Sequence, residues 1–186
     1  MSRHILVFRD PDRFVAGTVG EPGERTFFLQ ARHGSMLTSV ALEKLQVAAL
    51  AERIDELLDQ AIAEGATDVP AQADALAPDA APLDAPITEE FRVGAMALGW
   101  DDSARRVIIE AHAVAEEDLE VPDLGDDSGE EPDTLRVWIT AGRARAFAER
   151  ARHVVAAGRP PCPFCAQPLD PAGHVCPRAN GYRRRT

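Results

Sequence analysis

The chain has 186 residues, 45% of them apolar, with a formal net charge of −11. That suffices for one generous domain or two small ones around a packed core, and no apolar run approaches the roughly 18 to 20 residues that a membrane-spanning helix needs. A uniformly acidic protein would be repelled by nucleic acid, but residues 1–133 hold 29 acids against 10 Lys or Arg while residues 134–186 hold 10 Arg against Glu149 and Asp170, so the basic end either docks on the chain's own acids or meets phosphates.

The N-terminus, MSRHILVFRDPDR, returns to charge after Phe8. It fits neither a signal nor a transit peptide. Together with clustered thiols, this predicts a reducing cytoplasm and no membrane association. Arg3 to Phe8 alternates weakly and reads as a strand, and Asp10, Pro11 and Asp12 form its turn. Arg13 to Val19 and Arg25 to Arg32 read as a hairpin across Glu21, Pro22, Gly23 and Glu24. Met36 to Leu42 is the next strand. From Glu43 to Glu64 the period changes: Val47, Leu50, Ala51, Ile54, Leu57, Leu58 and Ala61 share one helical face, and Gly65 ends the helix.

Residues 66–86 are rich in Ala, Pro and Asp without a period, which predicts a flexible linker or surface loop. Phe91 to Trp100 and Arg105 to Val114 read as paired strands across Asp101, Asp102 and Ser103. Glu116 to Asp133 contains ten acids and no base, the composition of a solvated loop. Leu135 to Ile139 is a short strand, Thr140 can cap the following helix, and that helix sets Ala144, Phe147, Ala148, Ala151, Val154 and Val155 on one face. It stops at Gly158 before two prolines.

The two halves read as copies. Phe14-Val15-Ala16-Gly17 answers Phe91-Arg92-Val93-Gly94, 77 residues on, and Ala51-Glu52-Arg53 answers Ala148-Glu149-Arg150, 97 residues on. The difference matches the acidic stretch at 115–133. The expectation is an α+β fold: antiparallel sheet or sheets from a duplicated ββ-β-α unit, with two helices on one face. Residues 1–65 form the first half, 66–86 the linker or loop, 87–158 the second half and 159–186 a tail.

That tail carries the chemistry. PPCPFCAQPLDPAGHVCPRANGY holds all three cysteines, Cys162, Cys165 and Cys176, with His174 between the second and third. Zinc takes four soft or borderline ligands at tetrahedral corners. A C-x-x-C turn offers two thiolates from one knuckle, and Pro163 pre-sets its backbone angle. Pro168, Asp170, Pro171 and Gly173 can reverse the chain and bring His174 and Cys176 to face the first pair. Four protein ligands make a closed, structural zinc site. Three other readings stand beside it: a disulfide with one thiol left over, a glutaredoxin-like CPFC redox centre, and three unliganded buried thiols.

With the tail CPFCAQPLDPAGHVCPRANGYRR and the stretch VALEKLQVAALAERIDELL in view, the chain resembles an actinobacterial family, Domain of Unknown Function 3090, over nearly its whole length. The resemblance implies a cytoplasmic protein, carries over Cys162, Cys165, His174 and Cys176 as zinc-type ligands, and brings no catalytic residue.

Elsewhere, Gln30-Ala31-Arg32-His33-Gly34 at a strand end resembles the histidine phosphatase signature, in which the histidine is phosphorylated. A strand end and turn explain the same letters. His4, His112 and His153 lack partners at metal spacing and read as surface or satisfied core histidines, while Trp100 and Trp138 read as core. Arg178, Tyr182, Arg183, Arg184 and Arg185 make a basic end that is either a nucleic-acid footprint or a charged terminus. The function expected first is a non-catalytic adaptor or regulator that binds another protein and carries structural zinc. A phosphate-ester hydrolase using Arg32 and His33, and nucleic-acid binding through the Arg-rich tail, are the alternatives.

Overall fold

The computed structural model describes residues 3–66, 69–70, 79–115, 123–125, 132–158, 162–165, 169 and 176. Seven strands, β1 (Ile5–Arg9), β2 (Arg13–Val19), β3 (Thr26–His33), β4 (Met36–Leu42), β5 (Glu89–Asp101), β6 (Arg106–Ala113) and β7 (Thr134–Ile139), join two helices, α1 (Lys44–Ala63) and α2 (Ala141–Ala156). The strands form one sheet in the order β1-β7-β6-β5-β4-β3-β2. The fold is α+β, and the repeated unit is visible as β2-β3-β4-α1 and β5-β6-β7-α2.

The sheet is mixed, where an antiparallel one was expected. Pairs β2–β3, β3–β4, β5–β6 and β6–β7 are antiparallel, but β4–β5 and β1–β7 are parallel. A short turn delivers the next strand antiparallel, whereas a helix carries the chain back to the starting end and delivers it parallel. Helix α1 does this between β4 and β5. Strand β1 lies beside β7 as β5 lies beside β4, so it occupies the place of a third unit's first strand.

The strand register aligns the copies differently from the letters: Phe14–Gly17 falls on Met96–Gly99, not on Phe91–Gly94. Strands β3 and β6 both have eight residues and begin at Thr26 and Arg106, which superposes Gln30 on Glu110. The helix N-caps are Glu43 and Thr140, and their spacing superposes Ser39 of β4 on Arg136 of β7. The offset therefore widens between β6 and β7, where the acidic stretch lies.

Each helix buries the stripe its spacing predicts. Val47, Leu50, Ala51, Ile54 and Leu58 are buried in α1, as are Ala144, Phe147, Ala148 and Ala151 in α2. The stripes pack on Leu29, Val40, Val107, Ile109, Val137 and other inward side chains of the sheet in one continuous core. Phe147 stacks on Phe14 of β2 with centroids 4.7 Å apart. Thr140 Oγ1 accepts the Arg143 N–H at 3.3 Å, and the Glu43 N–H donates to Gln46 Oε1 at 2.8 Å, so both helix starts have a local partner for an otherwise unmatched group.

Strands β1 and β2 are the two edges of the sheet, yet only residues 10–12 separate them. Four residue steps reach about 14 Å, whereas seven flat strands would span about 29 Å, so the sheet curls strongly. The bend falls at β5. Its partners in β4 are reached through Glu89 and Arg92, its pairing with β6 starts at Val93, and the register shifts between Val93 and Ala95. Gly94 occupies that shift, and a Cβ there would lie 2.9 Å from the Val114 Cα. Along β2, Arg150 of α2 donates from Nε to the Ala16 carbonyl at 2.9 Å, which helps to cover the exposed edge.

Segments 79–86 and 123–125 lie as straps on the outer face, one per half. The part of the expected linker at residues 79–86 is laid on β2 and β3. Leu83 packs over Gly17, where a Cβ would come within 2.6 Å of it. The Asp84 N–H donates to Gln30 Oε1 at 2.7 Å, and Gln30 Nε2 donates to the Asp84 carbonyl at 3.0 Å. On the second half, Leu124 packs over Gly99, and the Gly125 N–H donates to Glu110 Oε1 at 3.0 Å. Of the acidic stretch expected to be a solvated loop, Leu124 touches the sheet at Gly99, and residues 116–122 and 126–131 lie outside the described residues. Strand β6 is buried except at its two end residues, and β7 is buried throughout.

Candidate metal centre

The CPFC segment follows α2 rather than a strand. Residues Pro163, Phe164 and Cys165 form a turn, and among the described residues no helix begins on it. Such a turn lets backbone N–H groups face the first sulfur. The Phe164 N–H, above all, and then the Cys165 N–H and the Cys165 and Cys176 thiols draw the Cys162 pKa down to about 6, against the opposing effect of burial. A thiol so placed supplies the thiolate that metals bind.

Cys162 and Cys176 are buried and Cys165 is partly so. Their three Sγ atoms all lie within 4.8 Å of one another, and the Cys162 and Cys176 sulfurs are 3.8 Å apart. Two sulfurs at tetrahedral corners, each ~2.3 Å from a central ion, stand roughly 3.8 Å apart. A disulfide would require about 2.05 Å, and all three cysteines are free. The three thiols can therefore hold a metal ion together. His174 lies outside the described residues, as do Arg178, Tyr182 and Arg183–Arg185.

The other candidates fall elsewhere. Arg32 directs its guanidinium to Asp84, with Nε 3.3 Å from Oδ2, and His33 is exposed at the β3–β4 hairpin. Gly34 has φ +58°, and its N–H meets Asp12 Oδ2 at 2.7 Å, holding the Asp12 carboxyl below its ordinary pKa. His153 bonds the Glu149 carbonyl at 2.9 Å, and His4 is exposed. Trp138 is buried, with its indole N–H on Asp101 Oδ2 at 3.0 Å.

Among the described residues, four arginines of the basic C-terminal part meet acids of the same chain. Arg136 pairs with Glu110, Arg145 with Asp55 and Asp59, Arg150 with Asp79, and Arg152 with Asp55. Sequence reasoning missed a buried cluster, Glu110, His112, Thr134 and Arg136, on the outer face of β6 and β7. Its signal was two polar residues, Glu110 and His112, spaced by two in an otherwise apolar strand. A groove of about 560 Å³ between α1 and β5, lined by Gln46, Leu50, Leu57, Gln60, Met96 and Leu98, was also not foreseen. No helix among the described residues is long and apolar enough to cross a membrane.

No curated protein matches the chain, and no solved structure does. One family model does, that of a protein of unknown function (DUF3090), over residues 6–176. That match spans both repeated halves and the cysteine cluster, and the chain belongs to the DUF3090 family.

Proposed function

We propose that this is a non-catalytic adaptor or regulator whose C-terminal tail is organised by one structural zinc ion, held by Cys162, Cys165, Cys176 and His174. The convergence of the three sulfurs carries this reading. Thiolate donors favour zinc over the hard cations that prefer oxygen, and a fourth protein ligand leaves no open position for substrate. The tail is short and proline-rich, with little apolar bulk, so an ion takes the part that a core plays in larger domains. The zinc-ordered tail is the surface offered to another protein in the cytoplasm.

Affinity capture with the full chain and with Cys162→Ser tests the adaptor role. Loss of specific partners from the variant is expected. Identical partner sets would remove the knuckle as the interface.

A further inference from the structure

Strand β6 carries two buried titratable side chains that the metal centre does not use. Glu110 is 0% exposed and His112 is 1% exposed. Glu110 Oε1 accepts from Arg136 Nε and from the Gly125 N–H. Its Oε2 faces His112 Nε2 at 3.4 Å, and neither atom has a hydrogen bond of good geometry, to the other or to any further group. On the other side of the ring, His112 Nδ1 lies 3.0 Å from Thr134 Oγ1. The same oxygen lies 3.1 Å from Arg3 NH2 and 3.0 Å from the Pro132 carbonyl.

The order hydroxyl, imidazole, carboxylate is that of an acyl-transfer triad, but Thr134 is 0% exposed, so no substrate can reach its oxygen. A proton can. A hydroxyl donates one hydrogen and rotates to suit its neighbours. With His112 neutral and its proton on Nε2, the ring donates toward Glu110 and Thr134 donates to Nδ1. With His112 protonated, Nδ1 donates to Thr134, and the hydroxyl turns to Pro132. In both states the Nε2 proton faces Glu110 and the Thr134 hydroxyl has an acceptor, but in the second the imidazolium and the Arg3 guanidinium converge on one oxygen.

We propose that His112 and Arg3 are rival cations on the Thr134 hydroxyl, and that proton uptake by His112 unlatches β1 from β7. Strand β1 begins at this point. The Thr134 N–H donates to the His4 carbonyl at 2.9 Å, the His4 N–H donates to Asp133 Oδ1 at 2.7 Å, and the parallel ladder starts with Ile5 opposite Thr134. Among the described residues, the charged groups facing His112 are Glu110 on its own strand, Arg136 on β7 and Arg3 from the N-terminal segment. Strand β5 presents only Ala95 opposite it, and the strap over β6 presents the Gly125 peptide.

Burial, chiefly, holds the His112 pKa below 6.5, with Arg3 and Arg136 acting in the same direction and Glu110 against them. Linkage is reciprocal: if docked Arg3 opposes the proton, the proton opposes docked Arg3 by the same free energy. The folded pKa is depressed, so the stability associated with neutral His112 is complete above about 6.5 and is lost as pH falls through the folded value. The latch opens toward acid.

An NMR titration of the His112 ring in the full chain, with Arg3→Gln as comparison, tests the rivalry. The midpoint should move upward when the Arg3 charge is removed, and an unchanged midpoint would overturn the proposal. Amide exchange on either side of pH 6.5 supplies the second arm. Beyond the intrinsic pH dependence of exchange, the β1 amides should lose protection on acidification in the wild type but keep it in His112→Gln. Equal loss in both chains would also overturn it. If His112→Gln does not fold, the Arg3→Gln titration decides alone.

Discussion

Glu110 and Gln30 occupy matching places in the two halves, and each holds the backbone of a strap through Oε1. The charge is arranged differently around them. In the first half the strand residue is neutral and the strap supplies the carboxylate, Asp84, which meets Arg13 and Arg32. In the second half the strand supplies the carboxylate, the strap supplies Gly125, and Arg136 stands where the first half has Ser39. Removing one member of a buried ion pair leaves the other charge desolvated, at a cost of about 3 to 5 kcal/mol. Glu110→Ala should lose about that much stability in chemical denaturation. The exposed pair Arg53–Glu56 on α1 offers the control, since Glu56→Ala should cost under about 1 kcal/mol.

Among the elements, the straps decide how the sheet is covered. A glycine on the first strand of each half leaves room for a strap leucine, Leu83 at Gly17 and Leu124 at Gly99. Val15, Phe28 and Ala41 pack with Leu83 in a small core on the outer face, separate from the main one. Gly17→Ala would push a methyl group into Leu83, and such overpacking costs about 1 to 3 kcal/mol. The expected outcome is a lowered denaturation midpoint together with faster exchange of the Asp84 amide, because a displaced Leu83 pulls that N–H from Gln30. Unchanged protection of Asp84 would show that the leucine does not seat the strap.

For the molecule as a whole, the sheet core and the cysteine cluster are stabilised by different means. The core closes on apolar side chains from all seven strands and both helices, with no contribution from the tail cysteines. Purified protein should contain about one zinc per chain, and chelation should disorder the tail while most of the sheet survives. Metal analysis with far-UV circular dichroism before and after chelation reads both. A folded sheet and a bound ion that resists Cys162→Ser would separate the cysteines from metal binding.

The sequence by itself determined nearly every local element: seven strands, two helices with their buried stripes, the Thr140 cap and the grouping of the cysteines. These follow from side-chain period, turn residues and ligand spacing, all of which act within a few residues. Only the tertiary structure decided that β4–β5 and β1–β7 run parallel, that residues 79–86 and Leu124 lie across the sheet, and that Glu110, His112, Thr134 and Arg136 meet in the interior. Nothing in VIIEAH states which strand lies alongside, so the partners of its two polar residues become defined only when β7 and the N-terminal segment arrive. A buried charge is tolerated for what surrounds it, and those surroundings come from parts of the chain far apart in sequence.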